Sequence, residues 1–142
     1  MNKSSVSIKM TMEIRDHSDK DVNVVETTGQ LMEKEDKAVL RFSETNENKD
    51  QTDSLITIQS DKVSIKRSGA VSMLQQLQRK QTTENVYRHQ FGTMHMETWT
   101  DQIIYQPPVE KKKGKLFISY QTSLNGQDPR RHRLTIEVKK ED

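Results

Sequence analysis

Val6-Ser7-Ile8-Lys9-Met10-Thr11-Met12-Glu13-Ile14-Arg15 places an apolar side chain on every second residue and a polar one in each gap. A period of two belongs to a strand with one face buried and the other wet. The alternation returns near the other end, where Leu134, Ile136 and Val138 alternate with Arg133, Thr135, Glu137 and Lys139. Both ends of the chain are therefore expected to be strands within the fold.

Between these ends, short polar reversals set the registers, because a slip of one residue would turn every side chain to the opposite face. Around Glu35-Asp36, Leu31 is expected opposite Leu40 and Gly29 opposite Phe42, where the missing side chain leaves room for a ring. Around Asp61-Lys62, Ile58 meets Ile65 and Ile56 meets Arg67. Phe91-Gly92-Thr93-Met94 reads as a hairpin that pairs His89 with Met96 and Tyr87 with Thr98. A polar loop from Asp16 to Asp21 sets Met12 against Val25, and one from Asn125 to Pro129 sets Tyr120 against Leu134.

Strands are expected over residues 5–15, 22–33, 37–44, 54–60, 63–78, 83–91, 94–105, 115–124 and 132–140. Val71 to Leu77 is read as the second part of the long 63–78 strand, with Gly69 as a bulge or kink, while Met73, Leu74 and Leu77 would also suit one helical turn. The segments Thr45–Asp53 and Gln106–Gly114 read as surface loops. The fold class is all-β: an antiparallel up-and-down barrel of about 8–10 strands, since closure removes exposed edges. Residues 1–142 are read as a single domain.

Composition points the same way. Hydrophobic residues make up 30% and charged residues 31% of the chain, so apolar side chains are scarce and nearly all must face inward. Seven Met against 5% aromatics implies a flexible interior with irregular gaps, and a cavity is expected. The absence of cysteine removes disulfides, thiolate metal sites and thiol nucleophiles, and it fits a reducing compartment. With no apolar run of signal-peptide or membrane-span length, the protein is expected to be soluble and cytoplasmic. A net charge of +2 demands no polyanionic partner.

Arg67-Ser68-Gly69-Ala70-Val71 with Met73, then Tyr87, Phe91-Gly92, Met94, Met96, Thr98, Ile118 and Tyr120 resembles the YwiB-like family of small bacterial proteins. The resemblance spans essentially the whole chain and implies a lipocalin-like, or calycin-like, barrel of unassigned function. Many of that family have glycine in the turn before the Tyr87 strand, where this chain has Arg79-Lys80-Gln81. The Gly-x-Trp of classical lipocalins is missing from the first strand, Trp99 being the only tryptophan.

A barrel interior can hold one small ligand, and the expected inner face carries polar exceptions at Arg67, Gln75, Tyr87, His89, Thr98 and Tyr120. The candidate ligand-binding residues are Arg67, Tyr87, His89, Thr98 and Tyr120. A buried guanidinium keeps its charge, so Arg67 either caps the barrel end against backbone carbonyls or meets an anionic ligand group. The phenols and imidazole either orient a ligand or are satisfied by packing.

No metal site is expected. The register sends His89 inward and His95 outward, while His17 and His132 lie in or beside loops without a partner of fixed spacing. Glu44, Glu47, Asp50 and Asp53 crowd one loop with no inner-face pairing, and neither a Ser-His-Asp arrangement nor a phosphate loop can be assembled. The leading expectation is thus a non-enzymatic binder of a small, partly apolar or anionic ligand, without a cofactor. One alternative is a protein or RNA interaction module, with a homodimer surface. It would use a basic rim formed where Lys111–Lys115 and Arg130–Arg133 converge at one barrel end. Stacking aromatics are not interleaved with those bases, so nucleic acid is not the expected partner. A purely packed barrel is the other alternative.

Overall fold

Alternation persists along nearly the whole chain and produces ten strands: β1 (Asn2–Asp16), β2 (Asp19–Lys34), β3 (Lys37–Thr45), β4 (Gln51–Ile58), β5 (Lys62–Gly69), β6 (Ser72–Gln78), β7 (Thr82–His89), β8 (Gly92–Gln106), β9 (Gly114–Leu124) and β10 (Arg130–Lys140). The computed structural model describes residues 2–45, 47–89 and 91–141, with His89 described by its backbone alone. Each strand pairs antiparallel with the next, and β1 pairs with β10 to close the barrel. Among the described residues no helix is long and apolar enough to cross a membrane.

The β2–β3 register is as expected, with Leu31 opposite Leu40 and Gly29 opposite Phe42. Elsewhere the pairing slides by an even number of residues. Met12 faces Asn23 and not Val25; Ile56 faces Ile65 and not Arg67; Tyr87 faces Met94 and not Thr98; Tyr120 faces His132 and not Leu134. The cause is the placement and length of the turns. The expected Asp16–Asp21 loop is a tight reversal with Asp16 opposite Asp19, made at His17 in the left-handed region (φ 52). The β4–β5 turn comes one residue earlier than expected, closed by the Gln59 N–H donating to the Lys62 carbonyl at 2.9 Å. Even shifts keep every side chain on its face, so the inward set survives the errors.

The long strand expected over 63–78 is in fact the hairpin of β5 and β6, with Arg67 opposite Met73. Gly69 makes the reversal. Its φ is 116, and a Cβ there would stand 2.3 Å from the Gln51 carbonyl oxygen, so only glycine fits. The Ala70 N–H donates to that same oxygen at 3.1 Å. The expected loop 45–53 is also shorter, since β4 begins at Gln51.

Branched aliphatics fill the end of the lumen that holds the β2–β3, β4–β5 and β8–β9 connections. Val6, Ile8, Leu31, Leu40, Ile56, Val63, Leu77, Leu116, Ile118, Leu134 and Ile136 are each at most 2% exposed. Along β1 the outward neighbours are polar: Ser7, Lys9, Thr11, Glu13 and Arg15.

One expectation about the surface is corrected. Lys111–Lys115 lies where β9 begins and Arg130–Arg133 faces its far end, with Gly114 opposite Val138 and Thr122 opposite Arg130. At roughly 3.3 Å per residue the two clusters are about 26 Å apart along β9. They occupy opposite ends of the barrel and form no common rim.

Candidate functional site

Toward the opposite end, the inward positions change character. At one level Ser54, Arg67, Met73, Tyr87 and Met94 stand opposite one another in turn across β4 to β8. Unbranched thioethers and a guanidinium interlock less completely than branched aliphatics. A cavity of about 420 Å³ results, walled by Met12, Met73, Met94 and Met96, with Arg67, Tyr87, Tyr120 and His132 in its polar lining. Small-molecule sites occupy roughly 300 to 1,000 Å³.

A chain of polar contacts runs along the cavity wall, with Thr98 just below it. Gln75 Nε2 donates to Thr98 Oγ1 at 3.2 Å and lies 4.0 Å from Met96 Sδ. Thr98 faces Thr122 on β9, whose Oγ1 is 2.6 Å from His132 Nε2. The His132 ring stacks on Tyr120, with centroids 4.8 Å apart and planes within 9° of parallel. The Tyr120 hydroxyl points to Met12 Sδ at 3.9 Å.

Burial raises the pKa of the Tyr120 phenol. Burial, and then the neighbouring Arg130 charge, lowers the His132 pKa to about 4. Both rings are therefore neutral at pH 7, and stacked they offer the cavity an uncharged wall.

Arg67 supplies the contrast. It is half-buried on the cavity wall, and its guanidinium forms no hydrogen bond or ion pair with the other described residues. Arg130 also lines the cavity, but its Nε is 3.5 Å from Asp16 Oδ2, and Asp128 lies in the same lining. The lining thus has one arginine already matched to a carboxylate and one whose charge is unanswered.

Of the residues expected to meet a ligand, Arg67, Tyr87 and Tyr120 line the cavity. Thr98 faces inward but is fully buried below it, where its hydroxyl accepts from Gln75. The His89 side chain lies outside the described residues, and its backbone pairs with Gly92. His132, read as a residue in or beside a loop, is instead an inward residue of β10. Its signal was present: it continues the Leu134, Ile136, Val138 series by one more step of two.

A family profile described as "Domain of unknown function (DUF1934)" matches residues 8–136. A relative from Bacillus subtilis (strain 168), named "Uncharacterized beta-barrel protein YwiB", is 25% identical over 131 residues, covering 92% of this chain and 90% of the relative. The crystal structure of the ywiB protein from Bacillus subtilis superposes with a TM-score of 0.84 at 23% identity, covering 99% of this chain and 94% of that one. The resemblance drawn from Arg67-Ser68-Gly69 and Phe91-Gly92 is matched in sequence, and the barrel is matched in structure.

Proposed function

This chain belongs to the DUF1934 family, and from its half-filled lumen we propose that it binds a small, partly apolar ligand carrying an anionic group. The observation that carries this reading is the cavity of about 420 Å³ with methionines along its wall and Arg67 unmatched beside them. An apolar body would lie against Met12, Met73, Met94 and Met96, which adapt their shape at little cost. The anionic group would meet Arg67, whose planar fork suits a carboxylate, sulfonate or phosphate. Tyr87 would stand next to that contact, across Met73. The stacked, neutral Tyr120 and His132 would form the opposing wall.

The same proposal places the protein in the cytoplasm. Charged and hydroxyl side chains on the outer face of β1 suit a barrel bathed in water, where a barrel in lipid carries an apolar band outside. A chain without cysteine is at home where thiols stay reduced.

Titration with an anilinonaphthalene sulfonate, an apolar ring system with one sulfonate, tests the reading. Saturable uptake at one site is expected, weakened by roughly five- to tenfold in Arg67→Gln, in line with one lost charge-assisted contact. Native mass spectrometry of the purified protein is expected to show a co-purifying small molecule. No saturable uptake, or equal affinity in Arg67→Gln, would refute the proposal.

A further inference from the structure

Strand β2 is longer than its pairing with β3. It pairs with β1 from Asp19 to Glu33 but with β3 only from Gly29 to Lys34. Over Asp19–Glu26, among the described residues, no strand is paired along the edge that faces away from β1. The Thr27 hydroxyl does reach across to the Ser43 carbonyl, at 3.3 Å. Residues 19–24 are all exposed, and Val22 and Val24 keep 52% and 53% of their surface in water. An open edge is a row of backbone donors and acceptors ready to take another strand.

The order of residues along this edge identifies the strand it fits. When two copies pair edge to edge about a two-fold axis, opposite residues must lie on the same face of the joined sheet. Their numbers then add to an even constant. Centring the axis on Asn23 sets Val22 opposite the partner's Val24 and Lys20 opposite the partner's Glu26, and symmetry repeats both pairs. Centring it on Val24 would set Val22 against Glu26, and centring it on Val22 would set Lys20 against Val24. Neither neighbouring register matches apolar to apolar and cation to anion together. Lys20 is already on the outer face, its Nζ 3.7 Å from Glu13 Oε1 of β1.

We propose that the chain forms a two-fold dimer by antiparallel pairing of the β2 edges, in the register centred on Asn23. The occupant is a second copy because the outer face of the edge, with Lys20, Val22, Val24 and Glu26, is complementary to itself in both charge and apolar pattern. Cross-strand pairs of these kinds are what stabilise and align such a junction.

Sedimentation velocity on the full chain, over a concentration series at low salt, tests it. The unmodified chain is expected to self-associate. Lys20→Glu and Glu26→Lys alone should each weaken the dimer by about tenfold or more, since each replaces two attractive pairs with two repulsive ones. The two changes together should restore it, because the pairs re-form with signs exchanged. A chain that stays monomeric throughout would overturn the proposal, even if it captured a strand of another protein. So would a dimer indifferent to Lys20→Glu, or a double variant as weak as the single ones.

Discussion

The His132 ring lies flat against Tyr120 and is buried deeply enough to hold its pKa near 4, well below the ordinary 6.5. A base whose pKa falls on folding binds fewer protons folded than unfolded between those two values. Stability from this residue is therefore complete above about pH 6.5 and is lost as the pH falls toward 4. The whole window amounts to on the order of 3 kcal/mol. Thermal unfolding of the unmodified chain and of His132→Phe, followed from pH 7 to pH 4, should show it. The variant keeps a stacked ring but has no proton to take up. Its melting temperature should fall less steeply with acid than that of the parent, and parallel curves would refute the account. Arg67 is the opposite case on the same wall, a charge that no pH in this range removes. Its inward position was legible from its place after Val63 and Ile65. The lack of an answering carboxylate was not, because it depends on strands remote in sequence.

At the level of elements, the sheet is most tightly constrained where β2 first meets β3. Gly29 faces Phe42, and a Cβ there would sit 2.2 Å from the Arg41 carbonyl oxygen and 3.0 Å from Phe42 Cβ. The sequence suggests room for the ring, whereas the stricter limit is the backbone of the neighbouring strand. Gly29→Ala must push the two strands apart and should cost about 1 to 3 kcal/mol, as overpacking does. It should appear as a lower urea midpoint with an unchanged slope. Strand identity was legible over most of the chain, because the period of two is written in consecutive residues; at Val71 to Leu77 the sequence also allowed one helical turn, and the structure has β6 there. Turn length was not. Whether Gly69 kinks a strand or ends it depends on the Gln51 carbonyl that approaches from β4, and whether Asp16–Asp21 is a loop or a two-residue reversal depends on how far β1 and β2 stay paired. Those errors displaced partners by even steps, so Tyr120 was assigned Leu134 and its stacking on His132 went unseen.

Across the whole molecule the lumen is divided between an end packed with branched aliphatics and an end lined by methionine and polar groups. Ile118, fully buried in the first, should lose about 2 to 5 kcal/mol when cut to alanine. Met94, on the cavity wall, borders space already empty, and Met94→Ala should cost less than about 1 kcal/mol. Equal losses in urea unfolding would mean that the two ends are packed alike. By itself the sequence determined the all-β class and the inward and outward set of nearly every strand, and favoured closing the first strand on the last, because alternation is local and survives any even slip of register; the bulge of β8 between Thr100 and Gln102, which turns Ile103 inward and Ile104 outward, was not legible. Only the tertiary structure decided that the lumen is filled at one end and hollow at the other. It also placed the two basic clusters at opposite ends and left half of β2 with an open edge. These are matters of where strands of unequal length meet, and relative length and stagger are set by contacts between segments far apart in the chain.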